Sequence, residues 1–594
     1  MGTPCLEYTR RLEARRAERV RQDRLHLILS NARLAVFVAG LAMAWLVFES
    51  RLLAGGWLVL PAALFLGLVI AHSRVEEARE RAGRAASHYE RGLERLEHRW
   101  MGRGDGGERF GEPDHPYAAD LDLFGKGSLF ELLATDGTPA GAARLAAWLK
   151  SPADRETVLE RQAAVEELRS RLDLREDLAV LGPQALDRVH PESLSRWAAA
   201  APLLPAGPLR GAVVGLSAAA AAALLAWMGG LLETSFLLLV LLGEAAFAAF
   251  TRLRVSEVVE AVEAPGKEIG VLARVLGRLE RERFSSPLLV KLRAALDTAG
   301  APPSRRAAAL GRLVRRLDWR RNMIFAPVAA LLMWTAHLAF AIERWRAVAG
   351  PGIPRWLEVA GEIEALCALA GYAYENPGDP FPEISGERFA YRGEGLGHPL
   401  IPEAACVRND VRLDGETRLL IVSGSNMSGK TTLLRTVGVN AVLALAGAPV
   451  RARRLVLSPV ALGASIRILD SIQAGHSRFY AEILRIRRIV ELTSGSLPVL
   501  FLLDEILHGT NSHDRRIGAE GVVKGLLVRQ AAGLITTHDL ALARIADELS
   551  PRAANVHFED HLEGGKMVFD FRIRPGVVEK SNALALMRAV GLEV

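Results

Sequence analysis

The sequence predicts a C-terminal α/β domain joined to a mostly α-helical chain that carries two long apolar hairpins. Three observations predict this. A glycine-rich loop, Gly424-Ser-Asn-Met-Ser-Gly-Lys430-Thr431, stands between an apolar run and a helical pattern. Two further apolar runs end abruptly in Asp504-Glu505 and in His538-Asp539. Four apolar stretches, grouped in two pairs before residue 251, approach or reach the length that crosses a bilayer.

The first pair is Leu34–Phe48, long enough if it starts near Asn31, and Leu52–Ala71, separated only by Glu49-Ser50-Arg51. Arginine-rich segments flank it, Arg10 to Arg24 and Arg74 to Arg99, so the positive-inside tendency keeps both ends in the cytoplasm and makes a hairpin over about 32–71 within residues 1–100. A signal peptide is the competing account of the first run, but its basic region is long and no small-residue cleavage pattern follows. The second pair is Gly211–Leu232 and Ser235–Phe250, preceded by Arg210 and followed by Arg252 and Arg254, and it predicts the same topology over 209–252. A buried core hairpin explains one such run better than four. Glu244 becomes an intramembrane carboxylate, expected to face another helix or to snorkel.

A fifth stretch, Met323–Ile342, is expected not to span, because crossing would carry the C-terminal domain away from cytoplasmic nucleotide; it reads as a helix buried in the core or lying at the membrane surface. Between Arg252 and Arg321 the pairs Arg305-Arg306, Arg315-Arg316 and Arg320-Arg321 recur at helical spacing. Such a face suits DNA backbone or anionic headgroups, and equally a solvated surface. Linkers are expected at Met101–Gly107 and Ala349–Gly352. The helical core is expected over 120–208 and 253–394, and the α/β domain over 395–594.

In that last segment Leu419–Val422 reads as a strand feeding the glycine-rich loop. Gly424 and Gly429 let successive N–H groups face a phosphate, the helix that follows adds its dipole, Lys430 neutralises charge and Thr431 holds Mg²⁺. Val499–Leu503 reads as a buried parallel strand whose end presents Asp504 to the metal shell and Glu505 to an attacking water. Gly533–Thr537 repeats the pattern and places His538 where it can sense the terminal phosphate. Ser477 precedes a helical pattern and reads as an N-cap, with its neighbouring N–H groups open to an anion or serving the cap alone.

The ordered set G-S-N-M-S-G-K-T-T, D-S-I-Q-A-G-H-S-R-F-Y-A-E from Asp470, L-L-D-E-I-L-H-G-T-N-S through Asn511, and T-T-H-D closely resembles the ATPase domain of the MutS family of DNA mismatch repair proteins. The resemblance runs strongly over about 395–594, including Gly397–Leu400, Asn409-Asp410, Asn555–Phe558 and Ser581–Leu584, and more weakly over Thr138–Leu168, Glu364–Leu369 and Glu375–Pro377. It implies an ABC-type P-loop ATPase using ATP and Mg²⁺ and working as a dimer. Gly424, Ser425, Asn426, Met427, Ser428, Gly429, Lys430, Thr431 and Thr432 would hold the nucleotide. Thr431 and Asp504 would hold the metal, and Glu505 and His538 would serve catalysis. Ser477 would reach the nucleotide of the opposite subunit, with Thr510 and Asn511 along the interface.

The chain departs from the family pattern in places. No L-S-G-G-Q signature occurs, which argues against a transporter nucleotide domain. Cys406 stands where relatives often place an aromatic on adenine. No Phe-x-Glu wedge in its G-x-F-Y-E context precedes residue 120, and Phe130-Glu131-Leu132 reads as core packing instead. Mismatch reading is not expected. The resemblance implies an ATPase with DNA as partner, and the apolar hairpins add the expectation of a multi-pass anchor at the inner membrane with the ATPase domain cytoplasmic. The alternative is a membrane mechanochemical ATPase acting on a protein or lipid.

Composition fits this division without choosing between them. The chain of 594 residues is 50% hydrophobic with formal net charge +6, and its basic residues are nearly all arginine, which coding bias explains as readily as phosphate binding does. Cys5, Cys367 and Cys406 are too far apart for a metal pattern and fit a reducing compartment. No Ser-His-Asp set or zinc cluster stands out.

Overall fold

A computed structural model describes residues 3–50, 52–134, 137–181, 191–204, 207–297, 300–322, 325–425, 427–467, 478–507, 512–538, 540–563 and 566–578. Before the first strand lie α1 (Thr3–Phe48), α2 (Val59–Leu96), α3 (Leu129–Leu133), α4 (Pro139–Lys150), α5 (Arg155–Arg169), α6 (Leu172–Leu181), α7 (Pro191–Ala199), α8 (Pro208–Met228), α9 (Thr234–Leu279), α10 (Pro287–Ala294), α11 (Pro303–Asp318), α12 (Ala326–Leu331), α13 (Trp334–Ala349) and α14 (Ile353–Glu375). The chain forms two compact units, Met1–Trp100 with Leu172–Val180, and Met101–Arg171 with Leu181–Val594.

In the first unit α1 and α2 pair antiparallel. Tyr8 packs on Gly92, Arg16 pairs with Glu90 at 2.8 Å, and the rings of Phe37 and Phe65 approach to 6.2 Å. The polar end buries Tyr89, whose hydroxyl donates to Glu176 at 2.6 Å, while Arg11 and Arg15 reach Asp173 and Glu176 at 2.6 and 2.7 Å. Arg11, Arg15 and Arg16 of this flank thus have carboxylate partners. Toward the other end the face is apolar and exposed, with Leu34, Trp45 and Leu60 each more than 60% exposed.

In the second unit α8 and α9 form the other hairpin. Among the described residues four helices, Thr3–Phe48, Gly55–Leu96, Pro208–Met228 and Thr234–Leu279, are long and apolar enough to cross a membrane. Glu244 on α9 is buried. The fifth apolar stretch is not one helix. It breaks at Met333, whose φ of 42° separates α12 from α13, and α13 buries Leu338, Ala339, Phe340 and Ile342.

The two expected linkers are folded segments. Glu131 Oε1 accepts from Gly104 N at 2.9 Å and its Oε2 from Gly127 N at 2.7 Å, which pins Met101–Gly107 to the start of α3. Gly350–Gly352 is a single tight turn between α13 and α14, with Gly350 buried. Glycine density marked turns here; hydrogen bonds to Glu131 order the first and burial of Gly350 the second. Leu129 through Leu133 are all buried, as the core reading of Phe130 anticipates.

The C-terminal third contains β1 (Glu383–Ile384), β2 (Tyr391–Leu396), β3 (Asn409–Leu413), β4 (Leu419–Ser423), α15 (Lys430–Ala446), β5 (Arg454–Leu457), β6 (Ala461–Ser465), α16 (Arg478–Leu492), β7 (Val499–Leu503), α17 (Ser512–Val528), β8 (Ala532–Thr537), α18 (Leu540–Glu548), β9 (Ala553–Glu563) and β10 (Lys566–Pro575). The larger sheet has the order β10-β9-β4-β8-β7-β6, parallel except for the β9–β10 hairpin, and the smaller has the order β1-β5-β2-β3. Strands β4, β7 and β8 are buried at every position, which is why they read as continuous apolar runs.

Candidate nucleotide site at the carboxyl ends of the parallel strands

Parallel pairing sets Ser423 beside Thr537, and Leu503 beside Ser465 and Ile535. Residues just past these strand ends must therefore meet in one crevice. They do: Thr431 Oγ1 donates to Asp504 Oδ2 at 2.7 Å, and the Thr536 hydroxyl donates to the other oxygen of the same carboxylate. His538 Nε2 contacts Glu505 Oε1, and Lys430 Nζ lies 3.9 Å from that oxygen.

The loop from Gly424 to Gly429 needs its glycines. Gly424 has φ +150°, and a Cβ there would fall 2.9 Å from Ser428 Oγ and 3.1 Å from the Phe558 carbonyl; Gly429 has φ +105°. Met427, a non-glycine residue at φ 66°, turns its side chain outward and is 85% exposed. Ser425 Oγ and Ser428 Oγ are buried without a hydrogen-bond partner among the described residues. Buried hydroxyls in that condition suit an anion that accepts from them. Lys430 is buried, donating to the carbonyls of Gly424 and Ser425 at 2.9 and 2.7 Å. Burial pushes its ammonium below the usual lysine range, while Glu505 and Asp504 pull it back up. Thr432 follows in the first turn of α15. Asn426 and Ser477 lie outside the described residues, as do Thr510 and Asn511.

Glu505 has φ 47°, and its N–H donates to Thr536 Oγ1 at 3.0 Å. That bond holds a non-glycine residue in the left-handed region and aims its carboxylate across the strand end. A cavity of ≈ 230 Å³ adjoins the loop, lined among others by His398, Cys406, Val407, Thr432, Phe558 and Phe571. Cys406 does line it, as its position implied, but the aromatic surface comes from β9 and β10. Phe571 sits in a bulge of β10 with φ 54°, clamped by Asn409, whose Nδ2 donates to Phe571 O at 2.9 Å and whose Oδ1 accepts from Ile573 N at 2.8 Å. Burial pushes the His398 imidazole down to about 4, and the charge of Arg435 acts the same way, so the ring is neutral near pH 7.

Residues 420–593 match the family model of MutS domain V. The chain is 35% identical over 251 residues to the endonuclease MutS2 of Thermus thermophilus, an alignment covering 41% of this chain and 31% of that protein. It is 32% identical over 252 residues to the DNA mismatch repair protein MutS of Geobacillus thermodenitrificans, covering 41% and 27%. With MutS of Geobacillus kaustophilus the identity is 33% over 249 residues, covering 40% and 27%. The chain thus spans less than a third of the length of these curated relatives.

Two contributors to the C-terminal domain carried no signal in the motifs. Thr536 sits inside an apolar run and reads as a strand residue until pairing sets it beside Asp504. Asp120, far upstream and fully buried, accepts from Ile466 N and Arg467 N at 2.7 and 2.8 Å and lies 3.0 Å from Arg485 Nη2. It fixes the exit of β6 and a turn of α16 at once. Burial pushes its carboxyl up, opposed by Arg485 and the two N–H groups.

Among the described residues no cluster of three His, Cys, Asp or Glu side chains could hold a metal. Mg²⁺ does not require one. It is commonly bound through one carboxylate, a hydroxyl, waters and substrate phosphate, and the oxygens of Thr431 and Asp504, already 2.7 Å apart, fit that donor set.

Proposed function

We propose that this chain is a membrane-anchored, MutS-related P-loop ATPase that binds and hydrolyses ATP as a homodimer and binds DNA without a mismatch-reading wedge. The observation that carries the reading is the convergence of Lys430, Thr431, Asp504, Glu505 and His538 at the carboxyl ends of β4, β7 and β8. The domain V match and the relatives' names support the ATPase and DNA parts, and the four long apolar helices support the anchor.

In this reading the β- and γ-phosphates enter the loop and replace the Gly424 and Ser425 carbonyls as partners of Lys430, while Ser425 and Ser428 donate their hydroxyls. Thr431 and Asp504 would hold Mg²⁺, which supplies charge neutralisation on the phosphates. Glu505 orients the attacking water and accepts its proton, and His538, in contact with Glu505, steadies that carboxylate and faces the γ-phosphate. The cavity between Phe558 and Phe571 takes the base by stacking. Ser477 of one subunit would complete the site of the other.

A second reading is a membrane mechanochemical ATPase acting on a protein or lipid partner, favoured by the two exposed hairpins. Steady-state ATP turnover of the detergent-purified full chain, alone and with homoduplex, mismatched and branched DNA, separates the two. Stimulation by DNA supports the first. Turnover indifferent to all three DNAs supports the second, and turnover unchanged by Lys430→Ala overturns both.

A further inference from the structure

We infer that the exposed arginine face of α11, together with the aromatic cluster at its C-terminal end, is a binding surface for anionic phospholipid headgroups beside the second hairpin. The inference rests on the proposal that α8 and the first part of α9 span a membrane.

Helix α11 is two-faced. Ala307, Leu310 and Leu317 are buried, packed toward α9 and α13. Arg305, Arg312 and Arg316, spaced by seven and four residues, fall on one line down the opposite side, with Arg315 next to it. All four are exposed, and none meets a carboxylate among the described residues. That is unlike nearby arginines of the same unit. Arg278 and Arg171 pair with Glu282, and Arg293 pairs with Asp297. An uncompensated row of guanidinium groups attracts a row of phosphates.

Two things distinguish a membrane from other polyanions. The first is direction. Ser304 lies beside Gly277 and Val314 beside Gly266, so α11 runs antiparallel to α9 and advances toward the hairpin end of that helix. The second is what stands at its end. Trp319, 57% exposed, stacks on Trp334 at 6.3 Å with their planes 2° apart, and Phe325 meets both edge-on at 6.0 and 5.3 Å. Trp334 Nε1 donates to Arg316 O at 2.9 Å, which ties the cluster to the arginine face. The chain then enters the short helix α12, where Ala326, Pro327, Val328 and Ala330 are exposed, and a few residues later His337 Nε2 reaches Ser217 Oγ on α8 at 3.1 Å. Arginine, then tryptophan, then exposed aliphatic side chains joined to a spanning helix is the order of polarity met on entering a bilayer. A nucleic-acid groove accounts for the arginines but not for the exposed α12.

The full chain in dodecyl maltoside, titrated with dioctanoyl phosphatidylglycerol and separately with dioctanoyl phosphatidylcholine, tests this. The anionic lipid is expected to bind more tightly, and replacement of Arg305, Arg312, Arg315 and Arg316 by Gln to weaken it by about tenfold or more while ATP turnover is kept. Equal binding of the two lipids, or binding unchanged in the variant, overturns the inference. So does duplex DNA that displaces the lipid at equal phosphate concentration, which would make the face a nucleic-acid surface. Carbonate washing of membranes containing the same variant separates the premises. A chain released by carbonate overturns the span itself; a chain that is retained while showing no lipid preference overturns only the headgroup surface.

Discussion

Glu505 and Lys430 sit under 4 Å apart yet have different tasks, and substitution should separate them. Glu505→Gln keeps the shape and the contact to His538 but removes the proton acceptor. It is expected to lower turnover by about a hundredfold or more while nucleotide binding persists. Normal hydrolysis by that variant would remove the chemical basis of the proposed mechanism. Lys430→Ala removes the buried ammonium and is expected to abolish binding itself, read by fluorescent-nucleotide titration. Phe571→Ala should raise KM for ATP with little change in kcat, because its ring touches the base cavity and not the reacting phosphate. The loop, Asp504-Glu505 and His538 were legible because each follows an apolar run directly. Phe571 and Thr536 were not, because nothing local distinguishes a strand phenylalanine or threonine from one set beside a ligand by pairing with another strand.

Pairs of elements depend on a few buried carboxyls. Glu364 on α14 accepts from Thr138 N at 3.0 Å and Thr138 Oγ1 at 2.6 Å, at the start of α4, while its second oxygen is buried without a partner. Burial pushes its carboxyl up to about 7, opposed by the Thr138 and Gly141 donors. Because the folded value lies above the unfolded one, Glu364 contributes fully below about pH 4.5, and the contribution is lost as pH rises toward 7. The loss is on the order of 3 kcal/mol. Melting curves between pH 5 and 8 should fall for the native chain and flatten for Glu364→Gln; parallel curves would show the carboxyl is already ionised. Asp120 joins β6 to α16, and Asp120→Ala, which strips two backbone N–H groups of their acceptor and Arg485 of its carboxylate while its bond to the His115 carbonyl remains, is expected to cost roughly 3 kcal/mol. ATP turnover should fall with it, and Asp120→Asn, retaining an acceptor for the N–H groups, should recover part of both. An unchanged melting temperature in Asp120→Ala would mean that the junction is held by other contacts. Helix and strand periods were readable along the chain. The Asp120 and Glu364 contacts were not, since the partners of each lie more than 200 residues away.

At the scale of the molecule, the topology proposal places both helix ends of each hairpin in the cytoplasm. A cysteine introduced at Gly230, in the turn between α8 and α9, should react with a membrane-impermeant maleimide in intact cells, whereas Cys5 and Cys406 should react only after permeabilisation. Labelling of all three from outside would reject that topology. The sequence by itself determined the parallel-sheet motifs and the long apolar helices, because those are patterns of neighbours: period, run length and turn residues act over a few positions. Tertiary structure decided the rest. It set Thr536 against Asp504, supplied aromatic walls from β9 and β10 where Cys406 offered none, made ordered turns of two glycine-rich segments, and broke the fifth apolar stretch into α12 and α13. Each of those outcomes depends on burial and hydrogen bonding between segments distant in the chain, where the free energy of a contact is fixed by the partner and not by the residue alone.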